Sequence, residues 1–186
     1  MSGLLVTNLS LDGLRQVERR PIGDHRGFLA RLFCAETLAA TGWTKPIAQI
    51  NHTHTAKQGT VRGLHFQYPP HAEMKLVSCI RGKIWDVAVD IRVGSPTLLR
   101  WHAVHLSRDN GRALLIPEGF AHGFQALTED VEIVYCHSRA YSPESEGGLH
   151  PGDPRLDIPW PHPVTELSLR DGAHSLIAAD FKGVLV

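Results

Sequence analysis

The clearest strand pattern in the chain is Ile84-Trp85-Asp86-Val87-Ala88-Val89-Asp90-Ile91. Successive side chains of a strand point to opposite faces. The apolar residues at alternate positions therefore share one face, while Asp86 and Asp90 share the other. A turn-like triplet, Arg81-Gly82-Lys83, joins this segment to another strand candidate at residues 75–80. This part of the chain is therefore predicted to form two consecutive strands.

Short strands continue on the C-terminal side. They are predicted at residues 101–106, 113–116, 122–127 and 131–136, and turn residues such as Asp109-Asn110-Gly111 separate them. Helix signals are few: residues 35–41, followed by Gly42, are typical of a short helix, and residues 166–178 are ambiguous. Many short strands at close spacing predict an antiparallel sandwich or barrel. We expect one all-β domain over residues 1–186.

The composition narrows the classes of function. Lysine plus arginine and aspartate plus glutamate number 19 each in a chain of 186 residues. Such a balance gives no general attraction to nucleic acids or to anionic membranes. The apolar stretch at residues 4–6 is too short for a signal peptide or a membrane span. Three widely spaced cysteines match no zinc motif, and their odd number favours a reducing cytoplasm.

Strand parity suggests where the chemistry lies. His65 shares a face with Gln67, Lys75 opens the next predicted strand, and Tyr135 shares a face with Ile133. If these are the interior faces of a small barrel, a histidine, a lysine and a tyrosine face one cavity. The alternative is that Lys75 lies on the outer face in solvent, because burying an unpaired lysine is expensive.

Those three residue types suit the removal of a proton next to a ketone and its return on the other side. A histidine titrates near neutral pH and can act as the base. A lysine can stabilise the enolate oxygen that forms, and a phenol can protonate the opposite face of the carbon. No step requires a metal or an organic cofactor.

The chain resembles the dTDP-4-dehydrorhamnose 3,5-epimerase family. The matching segments occur in order between about residues 24 and 171: Arg62-Gly63-Leu64-His65, Lys75-Leu76-Val77, Asp86-Val87-Ala88-Val89-Asp90-Ile91-Arg92, Gly94-Ser95-Pro96-Thr97, Ile116-Pro117-Glu118-Gly119-Phe120-Ala121-His122-Gly123-Phe124 and Asp153-Pro154. The resemblance implies a double-stranded β-helix (jelly-roll, cupin-like) barrel with short peripheral helices. It also implies a homodimer formed by strand exchange, no metal, and a nucleotide-sugar substrate, with dTDP-4-dehydro-6-deoxyglucose giving dTDP-4-dehydrorhamnose for cell-surface polysaccharide.

The resemblance also implies roles for individual residues. His65 would be the base, with Asp171 as its carboxylate partner, Tyr135 the acid on the opposite face, and Lys75 the residue that stabilises the enolate. Further residues would line the nucleotide-sugar site: Arg26, Gln49, Asn51, Arg62, His122, Tyr141, Glu146 and Arg170. Several have simpler alternatives. Asp171 could cap a helix that starts near residue 172, and Tyr141 could bond to backbone.

Some positions depart from the family pattern or conflict with a straight strand. Arg31 stands where many members have a glutamate at the nucleotide end of the site, and an arginine cannot accept a hydrogen bond from a base. Another nucleotide, such as CDP, is therefore an alternative to dTDP. Arg62 and His65 are three residues apart, so both face one cavity only if Gly63 permits a bulge or if Arg62 serves a neighbouring subunit.

Three other functions are weighed. A metal-dependent cupin would use the Pro117-x-Gly119-x-x-His122 motif, but the only His-x-His, His52-x-His54, lacks the glutamate expected five residues later. A non-catalytic sugar-nucleotide binding protein would be expected to lack the base or the acid. A mono-epimerase acting at carbon 3 or carbon 5 alone would use the same residues, and the sequence leaves that choice open.

Overall fold

The computed structural model describes residues 3–186, which form two antiparallel sheets that face each other and a separate two-stranded hairpin. The strands are β1 (Leu4–Asn8), β2 (Arg15–Arg19), β3 (Ile22–Asp24), β4 (Gly27–Leu29), β5 (Gln49–Thr55), β6 (Val61–Gln67), β7 (Lys75–Arg81), β8 (Lys83–Asp90), β9 (Trp101–Ser107), β10 (Arg112–Ile116), β11 (Phe120–Ala126), β12 (Val131–His137) and β13 (Glu146–Gly148). All six strands predicted above are present, with ends that differ by one or two residues.

The strand order produces the predicted jelly-roll. One sheet has the order β1-β2-β10-β7-β12-β5, the other β13-β6-β11-β8-β9, and β3 pairs with β4 alone. Consecutive strands such as β6 and β7 lie in different sheets, which is the double-stranded β-helix arrangement. The turn at Gly82 (φ 73°) passes the chain from β7 to β8, and therefore from one sheet to the other.

Apolar side chains from both sheets fill one end of the space between them. Val77, Leu114 and Ile133 come from the first sheet, and Ala88 and Phe124 come from the second. Burial of these side chains removes a large apolar area from water and holds the sheets together. The polar side chains of both sheets gather at the other end of the interior, where they line a cavity.

Two further apolar clusters cover the outer faces of the sheets. Val87 and Val89 of β8 pack under Leu156 and Ile158 from the C-terminal region. Both faces of β8 are therefore buried, which explains why an alternating strand also carries a fully buried Asp86. On the other sheet, Leu38, Trp43, Leu76, Leu115 and Cys136 form a cluster of buried residues.

The helices are short and peripheral, as predicted. They are α1 (Ala35–Ala39), a single 3-10 turn (Pro143–Ser145) and α2 (Leu169–Gly172). Gly42 has a φ of 97° after α1, in agreement with the predicted glycine stop. The ambiguous segment at residues 166–178 contains α2. None of the helices in the described residues is long and apolar enough to cross a membrane.

Candidate active site

A polar cavity of about 460 Å³ opens between the two sheets. Both sheets contribute to its wall, and α2 with the chain before β13 closes one side. The lining residues are Asn51, Thr53, Arg62, His65, Lys75, His122, Phe124, Tyr135, His137, Tyr141, Glu146, Ser168, Arg170 and Asp171. Ten of the twelve predicted site residues are therefore at one place.

His65 and the buried Asp171 form a hydrogen-bonded pair at the cavity wall. Nε2 of His65 lies 2.8 Å from Oδ1 of Asp171, whose Oδ2 accepts a hydrogen bond from the backbone N–H of Gly63 at 3.2 Å. Burial would raise the pKa of Asp171, but the hydrogen bonds with His65, Gly63 and Ser168 hold that pKa well below its usual range. The carboxylate is therefore ionised and fixes the imidazole with Nε2 as the donor, which leaves Nδ1 as the basic nitrogen.

Asp171 is not the cap of its helix. Ser168 precedes α2 and its hydroxyl accepts the hydrogen bond from the backbone N–H of Asp171, as an N-cap does. The side chain of Asp171 is thereby left to bond His65. The helix-cap alternative for the Asp171 carboxylate is excluded, although the residue does lie at a helix start.

A bulge in β6 brings Arg62 and His65 to the same cavity. His65 lies opposite His122 on β11 while Arg62 lies opposite Phe124, so three steps along β6 match two along β11. Gly63 has a φ of 131°, and a Cβ there would lie 2.5 Å from the Cα of Gly123. Only glycine fits this close approach of two backbones. The bulge resolves the conflict in parity without a neighbouring subunit.

Lys75 points into the barrel and is 7% exposed. Its Nζ lies 3.1 Å from Oε1 of Glu73 and 3.3 Å from the backbone oxygen of His65. The ion pair with Glu73 offsets the cost of burying the ammonium group. The alternative of a solvated lysine on the outer face is therefore excluded, and a positive charge stands beside the histidine.

Tyr135 lies on β12, in the sheet opposite the one that carries His65. Its ring packs edge-on against His122, with centroids 6.0 Å apart. Burial raises the pKa of the Tyr135 phenol well above its usual range. The phenol is therefore protonated at neutral pH and available as a proton donor.

His122 forms a second imidazole–carboxylate pair inside the barrel. Its Nε2 lies 2.8 Å from Oδ1 of Asp86, which is fully buried. Burial raises the pKa of Asp86, although His122 partly opposes this shift. The prediction that His122 lines the site agrees with its position, and the same residue is also a hydrogen-bonded barrel histidine.

The open end of the cavity carries a connected set of polar side chains. Tyr141 donates its hydroxyl hydrogen to Glu146 at 2.9 Å, and Glu146 also accepts hydrogen bonds from Arg170. Gln49 does not line the cavity but bonds Asn51, which does, and its own oxygen accepts the backbone N–H of Tyr141. The hydroxyl group of Tyr141 therefore bonds a side chain, and the alternative that it bonds the backbone is wrong.

Comparison with known proteins decides the family. The family model for dTDP-4-dehydrorhamnose 3,5-epimerase matches residues 8–179. The chain belongs to this family. It is 42% identical over 158 residues to the dTDP-4-dehydrorhamnose 3,5-epimerase of Sinorhizobium fredii, which covers 85% of this chain and 81% of the relative.

Solved structures of the epimerase family agree with the fold. The Legionella pneumophila dTDP-6-deoxy-D-glucose-3,5-epimerase in complex with dTDP-4-keto-L-rhamnose superposes with a TM-score of 0.90 at 39% identity, covering 98% of this chain and 99% of that one. A 3′-monoepimerase from Streptomyces bikiniensis in complex with dTDP-quinovose gives a TM-score of 0.81 at 34% identity, covering 90% and 85%. Both double and single epimerases are thus among the relatives.

Arg26 lies apart from the cavity. It belongs to the β3–β4 hairpin, its side chain is 79% exposed, and its guanidinium forms an ion pair with Asp24. Arg31 is also exposed and outside the cavity, with Nη1 3.9 Å from the sulfur of Cys34. Within one chain, neither of the two residues that the family pattern assigns to the nucleotide end reaches the site.

One group of side chains in the described residues has the spacing of metal ligands. The donor atoms of His65, Asp171 and His174 all lie within 4.8 Å of one another. A guanidinium nitrogen of Arg170 lies 3.2 Å from Nε2 of His65, which places a positive charge where a cation would bind. The arrangement therefore suits a hydrogen-bonded base better than a metal ion.

Several residues of the site were missed by the sequence reasoning: Thr53, Phe124, His137 and Ser168 line the cavity, and Glu73 and Asp86 bond residues that do. Asp86 had a visible signal, since it is an acidic residue in the middle of a mainly apolar strand. His137 lies two residues after Tyr135 and so shares its face. Glu73 precedes β7 and carries no periodic signal, so only the folded chain reveals its contacts.

Proposed function

We propose that this protein epimerises a dTDP-linked 4-keto-6-deoxy sugar, converting dTDP-4-dehydro-6-deoxyglucose to dTDP-4-dehydrorhamnose without a cofactor. The observation that carries the proposal is one cavity with the imidazole of His65, held by Asp171, on one sheet and the protonated phenol of Tyr135 and the ammonium group of Lys75 on the other. Membership of the epimerase family supports the same reaction.

The first step is removal of the proton next to the 4-keto group. Nδ1 of His65 takes the proton from the carbon, the C–H electron pair forms the enolate double bond, and the carbonyl oxygen gains the negative charge. The ionised Asp171 stabilises the imidazolium that results. Lys75 stabilises the enolate oxygen, because its ammonium group already stands in a largely dehydrated wall.

The second step returns a proton on the other face of the ring. Tyr135 donates its phenolic proton to the enolate carbon, the carbonyl reforms, and the configuration is inverted. A phenol with a raised pKa donates only to a strongly basic atom, and an enolate carbon is one. His65 then loses its extra proton to water and Tyr135 regains one from water, which restores both side chains, so the proposed chemistry needs no metal or organic cofactor.

The nucleotide is assigned to the open end of the cavity. Arg62, Asn51 and Arg170 provide donors there, and the ring of Tyr141 is half exposed beside them. The named relatives act on dTDP sugars, which supports dTDP over CDP despite Arg31. Binding of dTDP and CDP, measured by calorimetry, tests the choice. Tighter binding of CDP would overturn it.

The exposed hairpin supports the proposal of a homodimer by strand exchange. Ile22, Phe28 and Leu29 on β3 and β4 are each more than 60% exposed, and in the described residues the hairpin pairs with no other strand. Exposed apolar side chains at an unpaired edge favour association with another chain. A dimer would also bring Arg26 near a cavity, that of the partner.

The cytoplasm remains the proposed location, supported by three unpaired cysteines.

Proton NMR in heavy water tests the function. Purified protein is incubated with dTDP-4-dehydro-6-deoxyglucose, without added metal, and deuterium is located in the product. Deuterium at carbons 3 and 5 with formation of the rhamnose configuration is the expected result. Deuterium at carbon 3 alone would support the second candidate, a mono-epimerase like the Streptomyces bikiniensis relative. A folded protein that exchanges neither proton would contradict the proposal.

A further inference from the structure

Three histidines line the cavity, and a buried carboxylate holds one ring nitrogen of each. The pairs are His65 with Asp171, His122 with Asp86, and His137 with Glu73, and the nitrogen–oxygen distance is 2.8 Å in all three. The first histidine is the proposed base and the second was expected to line the sugar site. The third pair has no role in the mechanism above, although its histidine is part of the same wall.

Glu73 stands behind two side chains of the cavity wall. Its Oε2 lies 2.8 Å from Nδ1 of His137 and its Oε1 lies 3.1 Å from Nζ of Lys75. The Glu73 side chain is 8% exposed and does not line the cavity, whereas both of its partners do. One carboxylate therefore fixes two donors from the rear, as Asp171 fixes His65.

The strand register explains why a carboxylate is needed there. His137 on β12 is the direct cross-strand partner of Lys75 on β7, and such partners have Cβ atoms about 5 Å apart. Two nitrogen donors that close repel each other when both are charged. Burial would raise the pKa of Glu73, but its bonds to His137 and Lys75 keep that pKa below its usual value. The carboxylate is thus ionised between them.

His137 keeps its second ring nitrogen on the cavity side. Nε2 lies 3.5 Å from Nδ2 of Asn51, a long contact that a donating substrate hydroxyl can replace. The ring also lies beside Tyr135, with centroids 5.9 Å apart. A purely structural ion pair for Lys75 would need only Glu73, and would not place an imidazole between the lysine, the phenol and Asn51.

We propose that His137 is a further substrate-contacting residue of this site, and that Glu73 is the positioning residue that orients both His137 and Lys75. The inference rests on the proposed function. With Nδ1 held by Glu73, Nε2 of His137 faces a sugar oxygen next to the keto oxygen that Lys75 stabilises. The substrate carries hydroxyl groups in that region, which can donate to Nε2, so a fixed acceptor beside the lysine restricts how the ring can sit.

Variants at both positions test the proposal. In Glu73→Gln the amide can accept from one partner, but its NH₂ group then meets the other donor, so one of the two side chains moves. We expect kcat to fall by roughly tenfold to a hundredfold and KM to rise by a smaller factor, because Lys75 and His137 lose their fixed positions. His137→Ala should raise KM as well. The double variant should lose less transition-state stabilisation than the sum of the losses in Glu73→Gln and His137→Ala, because Glu73 acts partly through His137.

A matched control is Glu132→Gln. Glu132 pairs with His52 at 3.0 Å on the outer surface, so this variant removes the same kind of pair away from the cavity and should leave kcat and KM unchanged. Thermal unfolding of each variant reports loss of structure separately. A Glu73→Gln protein that loses thermal stability but keeps both constants would show a structural ion pair only and overturn the proposal. If Glu73→Gln does not fold, the His137→Ala variant provides the test. An unchanged KM in that variant would equally overturn the proposal. Absence of deuterium exchange in the wild-type protein would instead contradict the proposed function itself.

Discussion

Nε2 of His65 lies 2.8 Å from Oδ1 of Asp171, although 106 residues separate the two in the sequence. The contact exists because α2 returns from the C-terminal region to the mouth of the barrel and meets the bulge of β6. The same carboxylate bonds the backbone N–H of Gly63 within that bulge. One side chain therefore fixes the tautomer of the base and the backbone that carries it, which links the local fold directly to the chemistry.

Replacing Asp171 with asparagine should reverse the tautomer of His65. The asparagine amide can donate to Nε2, which moves the imidazole proton to Nδ1, the atom required as the base. We expect kcat to fall by roughly a hundredfold or more, as expected when the acidic partner of a catalytic histidine becomes an amide. Steady-state kinetics on a variant with an unchanged circular dichroism spectrum provide the measurement. A loss smaller than threefold would argue against the pair.

Replacing Tyr135 with phenylalanine should separate proton removal from inversion. His65 and Lys75 remain, so deuterium exchange on the original face continues, while product with inverted configuration falls by about a hundredfold or more. The ring itself still fills its place beside His122. NMR in heavy water distinguishes the two events. Inversion at the wild-type rate would mean that another group is the acid.

Replacing Gly63 with alanine should destroy the bulge. A Cβ at that position would lie 2.5 Å from the Cα of Gly123, both in backbone that cannot move aside cheaply. We expect a lower melting temperature and loss of activity, because His65 and Arg62 no longer face one cavity. Gly94→Ala is the matched control: Gly94 also has a positive φ, but a Cβ there meets nothing within 4 Å. If both variants lost the same stability and activity, the cause would be the positive φ and not the close approach to Gly123.

Mixing two inactive variants tests whether Arg26 serves the partner's cavity. In a dimer of Arg26→Ala with His65→Ala, one cavity carries both defects and the other carries neither. Co-expression should therefore restore roughly a quarter of the wild-type rate, because half of the dimers are mixed and half of their sites are intact. Light scattering on the same sample reports the dimer. If a confirmed mixed dimer recovers no activity, Arg26 does not serve the cavity of the partner.

The sequence was most informative where a residue's role depends on its own strand. The parity of β7 and β12 allowed Lys75 and Tyr135 to share one interior but left the outer face open for Lys75, and the family resemblance of the ordered motifs implied the jelly-roll. Roles that depend on register between strands were not accessible. Glu73 lies opposite two donors only because β7 and β12 pair with Lys75 against His137. The position of Arg26 likewise depends on a hairpin that pairs with nothing else in the described chain.

The proposed mechanism depends most on His65, which is held by Asp171 and removes the proton from the sugar. The most direct measurement compares deuterium uptake at carbons 3 and 5 of dTDP-4-dehydro-6-deoxyglucose by wild-type protein and by His65→Ala, with equal folding and dTDP binding as the conditions of comparison. We expect uptake by the wild type and none above the uncatalysed background for His65→Ala, because in the described residues no other histidine is hydrogen-bonded to Asp171. Uptake by His65→Ala at the wild-type rate would show that another group is the base.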